Sequence, residues 1–231
     1  MKLLLEIKKV GFVWVFLFAI FTSCNQEYKK TAALVEETNR VEFLPYYNDE
    51  SFTPHWLTPN TDDERGFHKI PEFKLVNQLG DTISHKTFND KIYIADFFFT
   101  SCPGICLKMT ANMSLVQDEF LSDPNVLLLS HSVTPSIDSV AVLKAYAEKN
   151  KVVSAKWHLV TGDKQEIYNL GRNQYFVEND LGIPKDINDF LHTENFLLID
   201  KNKHIRGIYN GLNKASIAQL IVDVKTLKGE G

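Results

Sequence analysis

Hydrophobic and polar positions along this chain change period several times, and each change marks an element. Phe73-Lys74-Leu75-Val76 runs into Asn77-Gln78-Leu79-Gly80-Asp81, a strand followed by a turn. Residues 91–99 (KIYIADFFF) are β-rich and almost uncharged, the pattern of a strand buried on both faces. A helical stretch follows over about 105–120, then a second buried strand over 126–130 (VLLLS). Near 137–149, Val140, Leu143 and Ala147 share one helical face. Residues 157–160 form a short strand and 164–170 a short helix. Residues 196–199 and 205–209 flank Asp200-Lys201-Asn202-Lys203 as the two arms of an antiparallel hairpin. The last helix carries Ile217, Leu220, Ile221 and Val224 at i, i+3, i+4 and i+7.

This order, strands alternating with helices and then a hairpin and a closing helix, predicts an α/β fold with a mixed central sheet flanked by helices. It is the thioredoxin-like order. It puts Cys102 at the C-terminal end of a central strand, the edge where open α/β sheets place their chemistry.

The first 69 residues follow different rules. Residues 10–21 (VGFVWVFLFAIF) are twelve apolar or Gly positions behind Lys2, Lys8 and Lys9. A spanning helix needs about 20 such residues, so this stretch reads as the core of an export signal. Phe21-Thr22-Ser23-Cys24 follows and resembles a bacterial lipobox, with Phe21 where Leu is usual. Cleavage before Cys24 would leave its thiol to carry a diacylglycerol. Residues 25–69 then have weak periodicity and contain Pro45, Pro54 and Pro59. Their first part reads as a tether. Phe43-Leu44-Pro45-Tyr46-Tyr47 and Phe52-Thr53-Pro54-His55-Trp56 are too aromatic for a plain linker. They are expected to lie on the domain surface, with a docking patch for a partner as the alternative. The expected division is a lipoprotein signal peptide over 1–23, a lipid-anchored tether and aromatic arm over 24–69, and one domain over 70–231.

Composition narrows the class without naming a function. A chain of 231 residues holds one domain with an arm, and 44% hydrophobic residues exclude wholesale disorder. The formal charge of -4 becomes -6 once the signal takes three Lys and one Glu with it. That argues against a nucleic-acid partner. Three Cys build neither a disulfide-rich scaffold nor an all-cysteine zinc site. With Cys24 assigned to lipid, Cys102 and Cys106 remain as a pair, facing a space outside the cytoplasm where dithiols meet oxidants and metals.

Cys102-Pro103-Gly104-Ile105-Cys106 is a C-x3-C motif. With Cys106 in the first helical turn and Cys102 in the loop before it, the two sulfurs come within bonding reach. A helix N-terminus favours thiolate over thiol, and Pro103 suits a helix start. Two thiolates are a redox pair or an incomplete metal site. Soft thiolates select Cu(I), and an added imidazole also suits Cu(II). His192 precedes the strand that a thioredoxin-like order sets beside the dithiol strand, which makes it the candidate third ligand. Thioredoxin-type oxidoreductases usually carry a cis-Pro just before that strand, and Leu191-His192-Thr193-Glu194-Asn195 has no Pro.

Asp96-Phe97-Phe98-Phe99-Thr100-Ser101-Cys102-Pro103-Gly104-Ile105-Cys106 resembles the signature of the Sco family, also called SenC or PrrC. The resemblance runs through Ser132-Val133-Thr134-Pro135, Leu143-Lys144-Ala145-Tyr146-Ala147 and Trp157-His158-Leu159-Val160-Thr161-Gly162. It ends with His192, Leu198-Ile199-Asp200 and Tyr209-Asn210-Gly211, covering about residues 70–227. It implies a thioredoxin-like fold and copper, Cu(I) or Cu(II), held by Cys102, Cys106 and His192. It further implies a metallochaperone delivering copper to the CuA subunit of cytochrome c oxidase, with other periplasmic copper carriers as further partners. The alternative is a thiol–disulfide oxidoreductase that keeps partner cysteines reduced, Cys102 attacking and Cys106 resolving. A bare scaffold for an oxidase complex is the third reading. Leu107 stands where the family often has Pro, and Thr134 where it often has Asp.

Other candidates are expected to be structural. Met109 and Met113 share a helical face and read as core, with assistance to Cu(I) as the alternative. His131 and His158 read as packing residues. His55, His68, His85 and His204 carry no constellation. Asp96, in a buried strand, reads as a hydrogen-bonded carboxylate that could also tune the dithiol.

Overall fold

The computed structural model describes residues 43–58, 61–177 and 189–230. The expected signal peptide over 1–23 and Cys24 lie outside them. Among the described residues, no helix is long and apolar enough to cross a membrane.

The expected thioredoxin-like architecture is present. A single-turn helix α1 (Asp62–Arg65) precedes β1 (Lys74–Asn77) and β2 (Thr82–Ser84). A 3-10 turn (His85–Phe88) leads into β3 (Ile92–Phe98), α2 (Ile105–Glu119), β4 (Val126–Ser132) and α3 (Val140–Lys149). Then come β5 (Trp157–Thr161), α4 (Lys164–Asn169), the hairpin β6 (Asn195–Ile199) and β7 (Ile205–Asn210), and α5 (Lys214–Gly229). The sheet order is β2-β1-β5-β4-β3-β6-β7. β3, β4 and β5 are parallel, and the outer strands join them antiparallel.

Every residue of β3 and β4 is buried, which explains their almost uncharged sequences. The period of two then divides β3 between two cores. Ile92, Ile94 and Phe98 pack with Cys102 and with residues of α2, α3 and α5, including Cys106, Met109 and Met113. Tyr93, Ala95 and Phe97 pack on the other face with Phe88, Tyr168 and Tyr175. Met109 and Met113 are fully buried in the first core, the packing role expected of them.

The structure departs from the expected boundaries for local reasons. β4 runs on to Ser132, so His131 lies inside a strand rather than beside one. The next helix starts at Val140, not 137, because the Ser139 side chain accepts the Val142 N–H and caps it. β2 was not anticipated: three residues give too little alternation to read, and the strand exists by pairing with β1. α4 continues through a π-helical turn over Leu170–Gln174.

The aromatic arm is docked on the domain. Tyr46 and His55 exchange backbone hydrogen bonds of 2.8 and 2.9 Å, and the Tyr47 N–H donates to the Ile205 carbonyl at 3.1 Å. Leu44 and Tyr46 are buried. The Arg206 guanidinium lies 3.8 Å over the Tyr46 ring. It donates to the Leu44 and Pro45 carbonyls, and it pairs with Asp200 at 3.2 Å and Glu230 at 2.6 Å. The Leu44 N–H closes the cluster by donating to Glu230 at 2.6 Å. One buried cation thus fastens the arm, β7 and the end of α5 together.

Candidate metal and redox centre

β3 delivers the chain to its C-terminal edge at Phe98, and a short loop carries it to α2. The Cys102 N–H donates to the Phe99 carbonyl at 3.4 Å, folding the loop back. Helix α2 begins at Ile105, so Cys106 is in its first turn as expected. Gly104 is the N-cap, which places Pro103 before the cap rather than at the first helical position. The Cys106 N–H points at the Cys102 Sγ at 3.4 Å, so spacing four does place the pair at one helix start.

Both cysteines are free thiols and both are buried. Cys102 is 8% and Cys106 4% exposed, so the two differ little in access to solvent. Their acidities differ far more. Burial pushes the Cys102 thiol up, but the Cys106 thiol and the N–H groups of Gly104, Cys106 and Ile105 together hold it below its ordinary value. Burial, and then the hydrogen bond and charge of Cys102, push Cys106 up to about 12. The pair therefore holds one readily lost proton, from Cys102, and one firmly kept.

Asp96 faces this site. It sits on the same side of β3 as Ile94 and Phe98, is 2% exposed, and accepts a short hydrogen bond from the Ser130 hydroxyl. Ser130 in turn accepts from the Trp157 indole N–H at 2.8 Å. Burial raises the Asp96 carboxyl to about 7, against the pull of Ser130, and its charge adds to the upward push on Cys106. The carboxylate is thus both hydrogen-bonded and coupled to the dithiol. Tyr146 of α3, which the sequence offered only as part of the resemblance over 143–147, shares the site. Its hydroxyl lies 2.8 Å from that of Thr110, burial raises it to about 12, and both thiols contribute to the rise.

His192 is exposed on the loop into β6. β6 pairs antiparallel with β3, Ala95 opposite Leu197. Extending that register sets His192 level with Thr100, two residues before Cys102. The topology thus brings His192 to the correct edge. Among the described residues, however, no three His, Cys, Asp or Glu side chains are drawn into a metal-binding group. His131 is fully buried, stacks on Phe97 at 4.6 Å and donates from Nδ1 to the Asp96 carbonyl at 3.2 Å. His158 is half-buried with its Nδ1 enclosed. Both are packing residues, as expected. The sequence reading also missed Asp138, a fully buried carboxylate bonded to the dithiol loop. Its signal was a lone Asp in a Pro-containing turn, which does not reveal which loop it faces.

A thioredoxin-like sheet with a reduced C-x3-C pair at its central edge and no thioredoxin-type Pro opposite defines a class of extended dithiol proteins. The comparisons place the chain within that class. The SCO1/SenC family model matches residues 61–228, and the chain belongs to that family. It is similar to a SCO1/SenC family lipoprotein from Bacillus anthracis, with 29% identity, a TM-score of 0.61, and coverage of 70% of this chain and 95% of that one. It is also similar to BsSco, described as a member of the Sco family of cytochrome c oxidase assembly proteins with a disulfide switch. There the identity is 26%, the TM-score 0.59, and the coverage 70% and 94%. Copper-bound ScoI of Bradyrhizobium japonicum shares the fold at 23% identity and a TM-score of 0.53, with 67% and 97% coverage.

Proposed function

We propose that this protein is a copper metallochaperone tethered outside the cytoplasm and serving assembly of the CuA centre of cytochrome c oxidase. Copper is its cargo. Cys102 and Cys106 supply two sulfurs, and His192 closes from its loop as the third ligand. The observation that carries the reading is the asymmetric dithiol at the helix start. One thiol is already acidic, so soft-metal binding needs to displace only one firmly held proton. Three ligands leave an exchangeable position, which suits handing the ion to the CuA subunit or receiving it from another extracytoplasmic carrier. Closing the Cys102–Cys106 disulfide would withdraw both sulfur ligands, so redox state would gate loading. Membership of the SCO1/SenC family and the disulfide switch described for BsSco support this. The lipoprotein relative supports an anchor at Cys24, with 1–23 removed and 24–69 acting as tether and arm to the domain over 70–231.

The same acidity split favours a second reading, a thiol–disulfide oxidoreductase. The Cys102 thiolate would attack a partner disulfide, releasing one partner thiolate and forming a mixed disulfide. Cys106 would then displace the second partner sulfur and close the Cys102–Cys106 bond, two electrons passing to the partner.

Copper titration of the reduced protein and of His192→Ala separates the readings. The chaperone predicts about one copper per chain and a large loss of Cu(II) binding in the variant. If His192→Ala binds both oxidation states like the parent, the ligand set is wrong. A reduced protein that binds no copper yet reduces a CuA-domain disulfide is the oxidoreductase. Full oxidase assembly in cells carrying Cys102→Ser/Cys106→Ser would leave only a scaffold.

A further inference from the structure

Asp138 lies in the turn between β4 and α3, and its exposure is 0%. A carboxylate withdrawn from water this completely needs donors for its lone pairs. It has four. The Thr134 hydroxyl donates to Oδ2 at 3.0 Å and the Ser132 hydroxyl to the same atom at 2.6 Å. Both of those come from its own side, the end of β4 and the turn. The other two come from across the sheet edge. The Thr100 N–H donates to Oδ2 at 3.2 Å and the Thr100 hydroxyl to Oδ1 at 2.5 Å.

Thr100 is two residues before Cys102, in the loop that joins β3 to α2. Two backbone bonds flank this tie, one at the end of β3 and one within the loop. The Phe98 carbonyl accepts from Val133 at 2.9 Å where the strand ends, and Cys102 N–H returns to Phe99. Ser101, Pro103 and Gly104 are exposed. Cys106, by contrast, is fixed by α2, which packs in the core through Met109 and Met113. The distance between the two sulfurs therefore depends on how firmly the Phe99–Ser101 segment is held, and Asp138 grips that segment at its middle residue.

We propose that Asp138 is a positioning residue for the dithiol: through Thr100 it holds the Cys102 loop against the start of α2, raising the effective concentration of one thiol at the other. A tied loop loses little conformational freedom when the sulfurs join, so closure is favoured. The Asp138 carboxylate need not touch either sulfur to do this. The role belongs to the pair itself and applies whether copper or electrons cross it, so a failed copper titration leaves it standing.

The test is the equilibrium between the reduced protein and glutathione disulfide. In it the Cys102 and Cys106 thiols are oxidised to their disulfide and one glutathione disulfide is reduced to two glutathione thiols. Its constant reports effective concentration directly. Thr100→Val keeps the branched shape and the N–H but removes the 2.5 Å bond. It is expected to lower the constant about tenfold, the worth of one hydrogen bond to a charged group. Thr100→Ser, which keeps the hydroxyl, restores the parent value. Asp138→Ala lowers it at least as far as Thr100→Val, and adding Thr100→Val to Asp138→Ala has little further effect, because both cut the same tie. Thermal unfolding of each reduced variant is recorded alongside, since a merely structural role moves that midpoint without moving the constant. The proposal is overturned if Thr100→Val keeps the parent constant, or if the double variant loses the product of the two single factors. Should Asp138→Ala fail to fold, the Val and Ser variants of Thr100 decide the question alone.

Discussion

Two buried groups on adjacent strands titrate over the same pH range with opposite sign, and replacing either one should expose the other. Asp96 on β3 and His131 on β4 are both inaccessible to water. Burial raises the Asp96 carboxyl from 3.8 to about 7. The folded protein therefore binds this proton more tightly than the unfolded chain does. Its contribution to stability is complete below the unfolded value and is lost as pH rises toward 7. At 1.36 kcal/mol per pKa unit this loss is about 4 kcal/mol. Burial lowers His131 from 6.5 to about 4, opposed by its hydrogen bond to the Asp96 carbonyl. Here the folded protein binds the proton less tightly. The contribution is complete above the unfolded value and is lost as pH falls toward 4, by about 3 kcal/mol.

The two nearly cancel in the parent, so urea unfolding of the reduced protein between pH 4 and 7 should show little slope from this pair. Asp96→Asn keeps an oxygen to accept from Ser130 and removes the acid. Its stability should exceed the parent's by up to about 4 kcal/mol at pH 7 and fall on acidification as His131 is forced to protonate. His131→Phe fits a site already stacked on Phe97, and its Nε2 has no partner among the described residues. Its stability should fall instead as pH rises. Parallel pH curves for Asp96→Asn and the parent would refute the assignment. The result bears on the dithiol as well, because the Asp96 charge is one of the causes that hold Cys106 up.

Further outcomes follow from the same structure. Iodoacetamide on the native reduced protein near neutral pH should label Cys102 first, with Cys106 reacting appreciably only after unfolding; peptide mass spectrometry that finds Cys106 labelled first would reverse their roles. Arg206→Met should cost about 3–5 kcal/mol in urea unfolding by stranding Asp200 and Glu230, and should open the arm near Leu44 to protease. The Tyr93 and Tyr175 hydroxyls meet at 3.0 Å inside the second core, so Tyr93→Phe alone should cost about 1–3 kcal/mol and the double Phe variant less than the sum of the two singles.

The sequence disclosed those parts of this molecule that depend on neighbours along the chain. The almost uncharged runs around Ile94 and Leu128 read as buried strands and C-x3-C behind the first of them as a helix start, and the fold has them there. Topology then followed, and with it the edge to which His192 is carried. Features that depend on contacts across the fold were hidden. Nothing around Asp138 says that its partner is Thr100, 38 residues earlier. Nothing around Tyr46 says that Arg206 will cover it, since each is ordinary in its own segment. The same division explains why candidate ligands could be named more readily than the geometry around them. Sulfur and imidazole announce their chemistry by residue type, whereas the acidity of Cys102 comes from the placement of the Cys106 thiol and then of three backbone N–H groups around it. A dithiol in another loop would have the same letters and ordinary thiols. What distinguishes this one is a helix start held against a strand end, and that arrangement is a property of the folded chain.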